Sequence, residues 1–143
     1  MNWKNEAIER LSQYNAMMEA TVNIPQEIHR LEDFAASLRP NDPSIIPTGK
    51  PLGPNDDLMI NNIIKRDHLE KSYQNAVSWM IVTNRALNVL EPEEQMILKR
   101  MYVKPEKGVV GMLCEDLGVE QSSVYRKRDH ALYRFTMALY GTA

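Results

Sequence analysis

Gln121, Ser122 and Ser123 open a predicted helix, and Tyr125, Arg126, Lys127 and Arg128 follow within the next two turns. Hydroxyl, guanidinium and ammonium groups in that density suit contacts to the base edges and phosphate oxygens of double-stranded DNA. Other chemistry finds less support. His29, His68 and His130 are far apart, and none stands at metal-ligand spacing from another histidine or a cysteine. Asp67, His68 and Glu70 read as a polar helix face, and the nine methionines as core filler. Cys114 has no activating base nearby in sequence and is expected to be a small buried residue. Thr48-Gly49-Lys50 lacks the spacing, following hydroxyl and preceding strand of a phosphate loop. No catalytic residue, metal, cofactor or small-molecule substrate is expected.

The elements around the cluster say how it would be presented. Leu113 to Leu117 reads as the end of one helix, Gly118 as a turn residue, and Gln121 onward as the next helix. Two helices joined by so short a glycine turn must cross steeply, which is the helix-turn-helix arrangement. Leu113, Leu117, Val119 and Val124 would fill the angle between them, with Cys114 at their contact. With Val124 inward and about 100° per residue, the outer face collects Ser122, Ser123, Arg126, Asp129, His130 and Tyr133. Arg126 lies almost opposite Val124, where a guanidinium can pair with a guanine's O6 and N7. Ser122 and Ser123 can cap the helix or contact phosphate, and both readings stand. Lys127 suits a phosphate contact. Tyr125 lies to one side, either packed or bonded to a phosphate. Arg128 falls on the inner side and is expected to pair with Glu115, Asp116 or Glu94.

The rest of the chain reads as helix without a strand or repeat, so the fold class is all-α. Residues 4–38 carry two heptad rows: Met17, Ile24, Leu31 and Leu38, and Ala7, Tyr14, Thr21, Ile28 and Ala35. Pro25 predicts a kink or restart, with Asn23 near a cap. Residues 39–55 hold five prolines and two glycines, which predicts an extended loop. From about Asp56 to Leu90 a second helix, roughly 50 Å long at 1.5 Å per residue, carries Leu69, Ala76, Thr83 and Leu90 alternating with Tyr73, Met80 and Leu87. Met59, Ile60, Ile63, Ile64, Val77, Trp79, Ile81 and Val82 broaden that stripe beyond a two-helix seam and suggest a homodimer. Glu91-Pro92-Glu93-Glu94 restarts the chain in a helix reaching about Tyr102. A turn follows at 103–108, then helices at 109–117 and from Gln121 to about Tyr140. The expected domains are a long, coiled-coil-like helical hairpin over 1–90 and a DNA-binding unit over 91–143.

Composition sets bounds. At 143 residues, 43% apolar and 25% charged, the chain suits a folded protein rather than a disordered one. No run is long and apolar enough for a membrane span, and one cysteine with no signal-like N-terminus suits a cytoplasmic setting. A net charge of −2 argues against general polyanion binding, yet residues 121–143 hold four basic groups against one acidic.

Two stretches, LNVLEPEEQMILKRMY and LCEDLGVEQSSVYRKRDHALYRF, resemble region 4 of bacterial sigma factors and their phage relatives. Leu87, Leu90, Glu94, Leu117-Gly118-Val119 and Ala131-Leu132 match that pattern, over about a third of the chain. The resemblance implies that Gln121, Ser122, Ser123 and Arg126 contact bases or phosphates. Lys127 stands where the family has an apolar residue, so its stem would pack while its ammonium snorkels outward. With its long N-terminal helices the chain is similar to the ArpU-type family of Gram-positive phage and prophage proteins. That likeness implies regulation of late genes, with DNA and bacterial RNA polymerase as candidate partners. The DNA-recognition subunit of a phage terminase, and a protein-binding module contacting polymerase, are the alternative expectations.

Overall fold

A computed structural model describes residues 2–38 and 54–143, and every regular element among them is helical. The elements are α1 (Trp3–Ser12), α2 (Tyr14–Leu38), α3 (Pro54–Val89), α4 (Pro92–Leu98), a π-helical turn (Lys99–Val103), α5 (Val109–Leu117) and α6 (Gln121–Tyr140). No described helix is long and apolar enough to cross a membrane. The proline-rich stretch predicted over 39–55, with Thr48-Gly49-Lys50, lies outside the described residues except for its end. There the prediction needs correction, because α3 already begins at Pro54. Proline suits a first helical position, where its missing N–H has no partner to lose, and Asp56 and Asp57 in the first turn favour the positive helix end.

The chain forms two compact units, residues 1–18 with 78–143 and residues 19–77. The boundary expected between 90 and 91 therefore falls inside the first unit. The physical reason is α1, whose apolar side joins the core of α4 and α6. Ala7 and Leu11 are buried with Ala86, Leu87, Leu90, Leu98, Ala131, Leu132 and Phe135, and Trp3, Ile8 and Tyr14 pack at the margin. Polar contacts fix the same docking: Arg10 Nε donates to buried Thr83 Oγ1 at 2.8 Å, and Tyr14 Oη donates to Asn84 Oδ1 at 2.7 Å. The Arg10 guanidinium also sits 4.9 Å from the Trp79 ring centre. A smaller cluster of Ile97, Leu113 and Val124 joins α4, α5 and α6.

Of the kink or restart expected at Pro25, the restart does not occur. The helix breaks at Gln13, between α1 and α2, while Pro25 is exposed within α2. The seam residues Ile24 and Ile28 on either side are half-buried, so packing carries the helix past the missing N–H.

The second unit is residues 19–38 of α2 against 54–77 of α3, running antiparallel. Leu31 pairs with Asn62 and Glu27 with Lys65, so numbers fall on one helix as they rise on the other. Leu31, Ala35 and Ala76 are buried. Asn62 is buried too, its Nδ2 donating to the Leu31 carbonyl at 2.8 Å while its Oδ1 accepts from Arg66 Nε at 2.7 Å. It stands seven residues before Leu69, one step back along the same heptad row. A buried asparagine there sets register, because any shift strands its amide away from a partner.

Candidate nucleic-acid interface

Gly118 makes the junction between α5 and α6. Its φ of +65° and ψ of 37° lie in the left-handed region, and Val119 N–H reaches back to the Cys114 carbonyl at 3.2 Å. A Cβ at 118 would meet no atom within 4 Å beyond its chain neighbours, so glycine is needed for the backbone angle. Leu113 and Val124 are fully buried in the angle, with Leu117 and Val119 half-buried at its rim. Cys114 is half-buried rather than enclosed, because it sits at the margin of the small cluster.

The helix cap is not a serine. Glu120 is the N-cap, extended at φ −78° and ψ 162°, and its carbonyl accepts from Ser123 N–H at 3.0 Å. Ser122 and Ser123 therefore lie in the first turn, where their hydroxyls are not used to close the end. Ser123 Oγ instead accepts from Arg126 Nη2 at 3.0 Å. Gln121 and Ser122 are exposed, and Gln121 Nε2 donates to Tyr125 Oη at 3.5 Å.

The basic groups divide by partner. Arg126 is exposed and, among the described residues, has no carboxylate within ion-pair distance. Lys127 Nζ lies 2.8 Å from Glu93 Oε1 of α4, both side chains about two-fifths exposed. Arg134 pairs with Glu94, a largely buried carboxylate that also accepts from the Glu91 N–H at 3.0 Å. Arg128 turns inward as expected, but its predicted partners are wrong. Asp116 takes Arg100 at 2.6 Å and Glu94 takes Arg134, so Arg128 pairs with adjacent Asp129 at 2.8 Å and lies 4.9 Å from the Tyr125 ring centre. Tyr125 is thereby packed under a guanidinium. Burial alone would lower Arg128, but the Asp129 hydrogen bond and Tyr102 outweigh it and hold the group above its ordinary value.

The predicted outer face is narrower than the helical wheel suggests. Lys4 Nζ of α1 reaches Asp129 Oδ2 at 3.2 Å, and the Trp3 and Tyr133 rings meet in a T-shaped pair with centres 6.0 Å apart. Both stay at the surface, Tyr133 at 46% exposure, but each is engaged by a side chain of docked α1. What remains is a shallow depression of 370 Å³ lined by Ser123, Arg126, Lys127 and His130. Its width and exposure suit an extended polyanion better than an enclosed small molecule. Among the described residues no group of histidine, cysteine and carboxylate could hold a metal ion.

The π turn between α4 and α5 was not legible. Lys104 N–H bonds the Lys99 carbonyl at 2.9 Å, an i to i+5 closure. The wider turn lets Tyr102 and Val103 join the α1–α6 core while Met101 packs with the Ile97–Leu113–Val124 cluster. Lys104 and Lys107 stay exposed beyond it.

Neither a protein-family model, nor a curated protein, nor a solved structure matches this chain.

Proposed function

We propose that this chain is a sequence-specific DNA-binding transcriptional regulator, with α5, the Gly118 turn and α6 as its helix-turn-helix and a long helical hairpin as its dimerisation element. In this reading α6 enters the major groove by its N-terminal half. Arg126 reads a base edge, while Gln121, Ser122, Ser123 and Lys127 hold phosphates or neighbouring edges. Arg126 is the observation that carries the reading. It stands exposed beyond the glycine turn, steadied by Ser123 and held by no carboxylate among the described residues, while Arg128 and Arg134 pair elsewhere. The likeness to sigma region 4 and to ArpU-type phage regulators supports late-gene control in a phage or prophage.

Selection of bound sites from random double-stranded DNA tests the proposal. A defined sequence, retained at physiological salt against a scrambled control, is the expected result; equal binding to both overturns it.

One observation favours self-association over a solitary reading head. Among the described residues, only Arg126 of the basic residues of α6 lacks a carboxylate partner, so one copy offers little field, and two copies would combine their affinities. Mass in solution separates the dimer expected of a regulator from the larger ring expected of a terminase recognition subunit.

A further inference from the structure

Behind the open strip of α6 lies a second depression, 250 Å³, where α6 faces α4. Lys127 and His130 line both, so they form the wall between the two. Glu94 faces into this second space. Its Oε1 is bonded twice, but Oε2 is buried and has no hydrogen-bond partner, alone in that respect among the described residues. An orphaned buried carboxylate oxygen is costly and calls for a donor. Lys127 is committed to Glu93 and Arg134 to Oε1, and Glu91 is another acid. The remaining group is His130, whose Nε2 lies 4.0 Å from Oε2 while two-thirds of its side chain is open to solvent. On its other side stands Arg126, one turn back along the same helix.

Resting on the DNA-binding reading, we propose that His130 is a further DNA contact gated by a proton: as an imidazolium it donates one N–H to Glu94 Oε2 and the other to a phosphate. A neutral imidazole has one N–H and cannot serve both acceptors. The cation also adds a positive charge beside Arg126, in a strip where Lys127 is offset by Glu93. DNA binding therefore takes up a proton at this position, and affinity falls as pH rises.

The experiment measures affinity for the selected site at pH 6 and pH 8 across a salt series, using the full chain, H130Q and H130K. The native chain should bind about five- to tenfold more tightly at pH 6, with a salt slope steeper by about one. H130Q should show no such difference and bind as the native chain does at pH 8. H130K, charged at both pH values, should bind at the tighter level throughout. Specific binding that is flat with pH in the native chain, or equally pH-dependent in H130Q, overturns the histidine proposal and leaves DNA recognition standing. Absence of specific binding by all three proteins at both pH values overturns DNA recognition itself.

Discussion

Arg126 and Lys127 are neighbours in sequence with different surroundings, and they should fail differently. Arg126→Ala removes a group whose fixed partner is a hydroxyl, so the loss should appear as relaxed preference at one base position, about 1–3 kcal/mol of discrimination. Lys127→Ala should weaken binding to all sequences and lower the salt slope by about one, since an ammonium held near Glu93 can offer only charge. Parallel measurements on matched, singly altered and scrambled sites distinguish the two. Asp129 makes a separate prediction about stability. Burial pushes its carboxyl up, but hydrogen bonds from Arg128 and then Lys4 outweigh burial and hold it below its ordinary 3.8. A depressed folded value means that these pairs stabilise fully above the ordinary aspartate value and are lost as pH falls through the folded one. Denaturant titrations should therefore separate the native chain from Asp129→Asn at pH 7, and the gap should close as the solution is acidified below about pH 4.

At the scale of elements, Gly118 fixes the approach of α6 to α5. Gly118→Ala leaves the space around the turn unaltered but forces a side chain into φ +65°, so it should cost about 1–2 kcal/mol, read as a lower denaturation midpoint. The turn was legible because only glycine adopts that angle without strain. So were the helices on either side, whose observed limits match those expected. The break at Gln13 and the π turn at Lys99–Val103 were not, since neither contains a residue that forbids a regular helix. At Pro25 the restart alternative failed, because an exposed proline flanked by packed residues does not end a helix.

For the whole molecule, the residues of the heptad rows lie buried or half-buried, but the rows did not tell which partners they meet. Ala7 of α1 and Tyr14 at the start of α2 carry their row into the first unit, with Leu11 buried beside them, whereas Leu31 and Ala35 serve the second. Outside the seam of the second unit, Ile60, Ile63 and Ile64 are exposed, Ile64 by 62%. Three isoleucines within five residues on one helix face are unusual on an open surface and suit burial against another copy. Sedimentation should give a dimer for the native chain, and a monomer of unaltered helix content for Ile63→Lys with Ile64→Lys. An unchanged mass in the double variant removes this face from the interface.

The sequence by itself determined the all-helical class, the seam residues, the glycine turn and the residues on the outer side of α6. Each follows from local causes: periodicity of apolar side chains, the backbone freedom of glycine, and the angular step along a helix. Tertiary structure decided which of those polar groups stay available. Glu93 and Glu94, more than thirty residues before their partners, arrive on α4 and take Lys127 and Arg134; Lys4 arrives on α1 and takes Asp129. Charge counted along residues 121–143 gives +3, yet ion pairing acts through space, so the basic stretch becomes one exposed arginine beside a histidine and a partly offset lysine.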